Sequence, residues 1–353
     1  MSVLGCVRVS RAYYHCKHCH AGHCPRDMQL GLTAGELSPG ATQAVALAGA
    51  LGSFAEAAEK ILPKLSGLRV SESTVERATE RVGEEIGKQL ASGQTFGKKQ
   101  TWGWTKDSDG KTVAYVAADS TGVGMQGENG SAASGKMAAV GMIWNAEKSG
   151  QVRYVCGMTG GLQALSGPLR AQGAQVGMDA ADRWVAISDG GAGIEDWLRV
   201  NFPRVEAVIL DFFHAAEHLS DWAKALHTGD ESQVSLVISQ WCHRLKHEGG
   251  AAVLADLEKL DVSTRSASVQ EAHRVLLVYF RNQVHRMDYP SYRAKGWMIG
   301  SGPVEAACKQ VVGQRMKGSG MRWGEPGADA ICHLRALFRS EKGQWDAYWN
   351  NAT

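Results

Sequence analysis

Hydrophobic spacing changes character twice along this chain. From about residue 41 to 91 the apolar positions recur at helical spacing in TQAVALAGALG, SFAEAAEKIL and STVERATERVGEEIGKQL, separated by glycine and proline breaks. Ser73 followed by Glu76 reads as a capping box opening the last of these helices. The polar, aperiodic stretch GQTFGKKQTWGWTKDSDGK then reads as a linker, placed at 96–112. From Val113 short apolar runs predict strands over 113–118, 137–144, 152–157, 184–188 and 205–210, with helical stretches near 164–179 and 192–200. Residues 212–297 return to a nearly continuous helical pattern.

Three strands followed by helix, strand, helix and strand is the order of an RNase H-like fold. The expected architecture is therefore α/β. Residues 113–211 form the first part of an RNase H-like core, 212–297 a helical insertion, and 298–353 the C-terminal part with an acid-bearing helix. In front stand a partial zinc-ribbon-like segment at 1–30 and a helical, helix-turn-helix-like DNA-binding region at 31–95, with 74–89 as its reading helix.

Three carboxylates fall where such a fold would gather them. Asp119 in VAYVAADSTGV and Asp189 in RWVAISDGGAG each follow an apolar run, and Glu305 in IGSGPVEAACKQ sits just inside a helix opened by Gly302 and Pro303. An aspartate after a strand and before glycine is ordinarily a turn or cap residue. The conjunction of three changes that reading: converging hard oxygen ligands suit Mg²⁺ or Mn²⁺, and two such ions about 3.5–4 Å apart promote in-line phosphodiester chemistry. Asp182, Glu195 and Asp196 lack such placement and read as solvated surface.

Composition adds limits. The 353 residues are 44% hydrophobic and 21% charged, enough for two or three domains with ordinary cores. With a net charge of only +2, any nucleic-acid surface must be local. No run approaches the roughly 18 apolar residues of a membrane span, and the start lacks the apolar core of a signal peptide, so a cytoplasmic, nucleoid-associated protein is expected. Reduced cysteines then make Cys16 and Cys19, in CKHC, candidate Zn²⁺ ligands, with Cys6, Cys24, His20 and His23 at irregular spacing.

Asp211, His214, Glu217 and His218 in VILDFFHAAEHL form a second cluster, open to a zinc reading or to a support role in which Asp211 and His214 pin a helix beside the site. Asp211 is also the rival of Asp189 for the second catalytic position. Lys309, Arg315, Lys317 and Arg322 follow Glu305 without an intervening acid and are candidate phosphate contacts. Trp297 and Trp323 flank the site as candidates for stacking an unpaired base, although core packing is the ordinary fate of a tryptophan.

The run RMDYPSYRAKGWMIGSGPVEAACKQVVGQRMKGSGMRW, with ISDG and LDFFHAAEHL upstream, resembles bacterial insertion-sequence transposases of the ISKra family, relatives of the Mutator-like DDE transposases. The resemblance covers nearly the whole chain. It implies Asp119, Asp189 and Glu305 as the metal-binding triad and gives Asp211 and His214 to a C/DxxH signature. It further implies double-stranded DNA at element ends and target as partners, a homo-oligomer in the synaptic complex, and a cysteine pair preceding Cys16 that this sequence does not contain. Metal-dependent strand cleavage and strand transfer is the expected activity. A repurposed, non-catalytic DNA-binding protein and an RNase H-like nuclease without joining activity are the alternatives.

Overall fold

The structure, a computed structural model, describes residues 1–3, 5, 7–32, 37–127, 131, 134–148 and 150–351. Near the N-terminus, Tyr14–His15 and Gly22–His23 pair as a two-residue hairpin. Helix α1 (Pro39–Leu51) starts at Ser38, whose hydroxyl accepts from Ala41 N, with proline in the first turn where its missing N–H costs nothing. Helix α2 (Glu72–Ala91) is capped by Ser71, not by the expected Ser73. Ser71 has the extended backbone of a cap and accepts from Thr74 N at 3.2 Å, whereas Ser73 already lies inside the helix.

Five strands form one mixed sheet: β1 (Val113–Val123), β2 (Lys136–Trp144), β3 (Val152–Gly157), β4 (Arg183–Ser188) and β5 (Val205–Leu210), in the order β3-β2-β1-β4-β5. The first three form an antiparallel meander, whereas β4 and β5 run parallel to β1. Helices α3 (Gly161–Gln175) and α4 (Ile194–Asn201) make the connections into β4 and β5. Alternate residues of β1 enter different cores: Val113, Tyr115 and Ala117 face one, Ala114, Val116 and Ala118 the other. Burial on both faces explains why the strand reads as an unbroken apolar run.

Residues 212–297 carry the expected helices, α5 (Phe212–Leu226), α6 (Glu231–Glu248), α7 (Gly250–Leu257), α8 (Ala267–Gln283) and a short helix at Tyr289–Ala294. Glu305 lies on α9 (Gly302–Ala307), which continues through a π turn at Cys308–Gly313. Helix α10 (Glu325–Arg339) then packs Ala328, Ile331 and Cys332 onto the same sheet face as Val304 and Ala307 of α9.

Two expectations change. The 96–112 stretch is no free linker, because Phe96, Trp102 and Trp104 are buried and the two indole N–H groups donate to Glu341 and to Gly177 O. Nor is α2 a free reading helix. Its inner face buries Val75, Val82, Ile86 and Leu90, and its exposed face carries Glu72, Glu76, Glu84 and Glu85 against only Arg77 and Lys88, a poor match for phosphates.

Gly83 of α2 lies against the α10 backbone: a Cβ there would stand 2.1 Å from Ala330 O. A backbone oxygen inside a helix cannot move aside as a side chain would. Gly83→Ala is expected to cost about 1–3 kcal/mol of stability through overpacking, read as a lower urea midpoint. An unchanged midpoint would show that the two helices separate freely.

Candidate active site at the carboxyl ends of the parallel strands

Strand register places the acids. Ala117 of β1 pairs with Ile187 of β4, so Asp119 and Asp189, each two residues further on, reach the same level on the same face of neighbouring parallel strands. Ser188 pairs with Leu210, which sets Asp211 beside Asp189 at the end of β5. Asp189 and Asp211 therefore stand at the ends of β4 and β5, level with Asp119, which lies inside β1 two residues past its last pairing with β4; this is the edge at which open α/β sheets commonly bind ligands.

Their environments differ. Asp119 is half-buried, accepts from Ser120 N at 2.6 Å and receives the Cys308 thiol at 3.4 Å. Burial raises its pKa, and the like charge of Asp189 adds to the rise. Burial together with Asp119 pushes the Cys308 thiol up, so it remains protonated and able to donate. Asp189 accepts from Gly191 N at 3.0 Å and faces His214 Nε2 at 3.8 Å. His214 holds the Asp189 carboxyl below the usual range. Reciprocally Asp189, with added help from Asp211 and Glu217 and against burial, raises His214 to about 9.

Asp211 is 0% exposed and both of its oxygens are engaged. One caps α5 by accepting from Phe213 N at 2.9 Å, and the other accepts from Ser301 Oγ at 2.5 Å. Ser301 Oγ also lies 3.1 Å from Glu305 Oε1. Its single proton goes to the nearer oxygen, leaving the exposed Glu305 carboxylate its own lone pairs. Ser301 thus joins α9 to the end of β5. Among the described residues no three His, Cys, Asp or Glu side chains are gathered as a ready-made metal shell, and this holds for Asp119, Asp189 and Glu305 as it does for His214, Glu217 and His218.

The helical segment after β5 sets the loop carrying Asp189. Arg286, 2% exposed, donates to Ser188 Oγ at 2.5 Å, to Ser188 O and Asp189 O at 3.3 Å, and to Val208 O at 3.2 Å. Gly190 accommodates the Tyr279 ring, which would lie 2.8 Å from a Cβ there. Tyr279 stacks on His218 with centroids 3.7 Å apart. Sequence gave no signal for Arg286, Ser301 or Tyr279; burial alone marks them. Glu195 also departs from the solvated reading, since it is half-buried and paired with His285 at 2.9 Å and Arg199 at 2.9 Å. Asp182 and Asp196 are exposed, although Asp182 accepts from Thr112 N at 2.8 Å.

The basic run divides. Lys317 is exposed and reaches Thr121 Oγ1 at 2.5 Å, two residues along β1 from Asp119, while Lys309 and Arg322 are exposed without ion-pair partners among the described residues. Arg315 is no phosphate contact: at 2% exposure it donates to Gly49 O at 2.7 Å and lies over Phe54 and Trp323. Trp297 and Trp323 are likewise buried, as core residues. Cys16 and Cys19 are exposed at the N-terminal hairpin, and the Cys16 pKa is lowered by the backbone N–H groups of Cys19 and His18. No third ligand joins them among the described residues, and Cys6 lies outside those residues. Compared with models of known protein families the chain matches none, and comparison with curated proteins likewise returns no match.

The His214 pKa gives a signed expectation. A pKa raised on folding means stability fully present below the unfolded value of about 6.5 and lost as pH rises through about 9. Metal-free protein should therefore lose urea resistance across that window, and His214→Gln should remove part of the slope. The same slope in both proteins would show that the His214–Asp189 pair does not carry it.

Proposed function

We propose that the chain is a DDE transposase with an RNase H-like catalytic core, cleaving and joining DNA with Asp119, Asp189 and Glu305 as the metal-holding acids. The observation that carries this reading is the shared register of Asp119 and Asp189 on neighbouring parallel strands, with α9 fastened across them through Cys308 and Ser301. The order β3-β2-β1-β4-β5, with β2 alone antiparallel to its neighbours, is the arrangement that an RNase H-like reading requires.

The donor chemistry fits Mg²⁺ or Mn²⁺. Asp119 and Asp189 offer hard oxygens; burial raises the Asp119 pKa and the like charge of Asp189 adds to the rise, a repulsion that a cation between them would relieve. Such a metal supplies Lewis acidity and an activated water. Asp211 is the supporting acid, because both of its oxygens already serve Phe213 N and Ser301. Arg286 fixes the main chain that presents Asp189, and Lys317 sets a positive charge near Asp119 where a phosphate would otherwise meet only carboxylates. Element ends and target DNA are the proposed substrates, held by a homo-oligomer.

Incubation with labelled DNA flanking its own gene, in Mg²⁺ or Mn²⁺, should give nicked and joined products. Asp119→Ala, Asp189→Ala, Glu305→Ala and Glu305→Gln should reduce both to background while metal-free DNA binding survives. Cleavage retained in Asp189→Ala but lost in Asp211→Asn would assign the second position to Asp211.

Replacing Lys309, Lys317 or Arg322 by Ala should flatten the plot of log affinity against log salt by about 0.9 per lost duplex phosphate contact, with little change in sequence preference. An unaltered slope in the triple variant would place these side chains on a solvated face.

A further inference from the structure

The two tryptophans near the acids are buried, yet an aromatic ring stands exposed in the site. Phe213 is 60% exposed, and its position follows from the local backbone. Asp211 caps α5 and holds Phe213 N at 2.9 Å. The first helical turn then sends Phe212 inward, edge-on to Tyr289, and Phe213 outward. The Phe213 ring leans on Gly300, where a Cβ would come within 2.9 Å of it. Gly300 directly precedes Ser301, which contacts both Asp211 and Glu305, and His214, the next residue after Phe213, faces Asp189. The ring therefore occupies the seam between the Glu305 helix and the ends of β4 and β5 that bear Asp189 and Asp211.

We propose that Phe213 is a stacking platform for an unpaired nucleobase adjoining the phosphodiester that the acids address. The proposal rests on the phosphodiester reading above and names the form of nucleic acid the site takes. Single exposed apolar side chains are common, and Leu65 and Val200 need no further account. Phe213 differs by location: the other exposed large aromatics, Tyr13 and Tyr14, belong to the N-terminal hairpin. A capped helix start needs no apolar residue at this position, so capping does not explain the ring. Stacking also suits the electrostatics. The carboxylates repel phosphate, whereas a neutral base face on a neutral ring anchors the strand without opposing that charge, and every base offers such a face whatever its sequence. In intact duplex both base faces are covered by neighbours, so the ligand is a frayed or single-stranded nucleotide.

The test uses the full chain, without divalent metal, and two probes of one sequence: a blunt duplex and the same duplex with a short unpaired 3′ tail carrying 2-aminopurine. Wild-type protein should prefer the tailed probe by about tenfold, the scale expected for one stacked base, and should quench the 2-aminopurine. Phe213→Ala should lose the preference and the quenching while binding the blunt duplex unchanged, and Phe213→Trp should keep both. The preference should persist as salt rises, because no charge carries it. Phe213→Ala with intact tail preference, or with equal loss on both probes, overturns the proposal. Wild-type protein that binds the two probes equally overturns stacking and leaves the phosphodiester reading standing, whereas failure to bind either probe sinks that reading and stacking with it.

Discussion

The Arg286 guanidinium lies deep in the protein and donates to main-chain oxygens of Val208, Ser188 and Asp189, with Gln283 and the Ser188 hydroxyl completing its partners. Burying a cation is costly unless its donors are met, and here carbonyls meet them, with Glu195 at 3.7 Å supplying the counter-charge. Burial lowers the Arg286 pKa. The return is geometric, since a planar five-donor group fixes several carbonyls at once in a way a lysine cannot. Those carbonyls belong to the ends of β4 and β5. Arg286, though distant in sequence from Asp189, thereby fixes the main chain that carries Asp189.

Two further buried arginines, Arg315 and Arg335, perform the equivalent task for Glu305. Past α9 the helix runs through a π turn, where the regular ladder is interrupted and carbonyls become free to accept. Arg335 of α10 donates to Val311 O at 2.6 Å, to Gln310 O and to Ala50 O. Arg315 donates to Gly49 O in the same last turn of α1, a helix end whose carbonyls lack partners of their own. Burial lowers both pKa values to about 10, which leaves both charged at neutral pH. The N-terminal helices are thus fastened to the acid-bearing helix by cations that cannot be withdrawn without leaving buried carbonyls unmet.

Periodicity made the frame legible. Strands expected at 152–157 and 205–210 match β3 and β5 in full, and β1 differs only in running on to Val123 while paired with β2 alone. The strand-end positions of Asp189 and Asp211 could be read because an apolar run that stops at an acid marks an edge, whereas β1 continues past Asp119 to Val123. What sequence could not reveal was which charges are buried. Arg315 sits in a run with Lys309, Lys317 and Arg322 and looks equivalent to them, yet it fills the space between Phe54 and Trp323. The same limit hid Ser301 and the outward turn of Phe213. Nothing in the pair Phe212-Phe213 tells which ring meets Tyr289 until α5 has been set against its neighbours.

For the metal-holding role proposed above, the choice between Asp189 and Asp211 turns on free lone pairs rather than on position. Both directly follow parallel strands, so strand placement alone leaves them equal. Asp211 is fully buried, with one oxygen committed to the cap of α5 and the other to Ser301 at 2.5 Å. Withdrawing either oxygen would orphan a helix-end N–H or a buried hydroxyl. Asp189 is half-buried; its Oδ1 accepts one backbone N–H, and its Oδ2 faces His214 at the separation of an ion pair rather than of a hydrogen bond. A cation can therefore take the place of the imidazolium at Asp189 without breaking the fold, whereas at Asp211 it would have to dismantle the junction that holds Glu305.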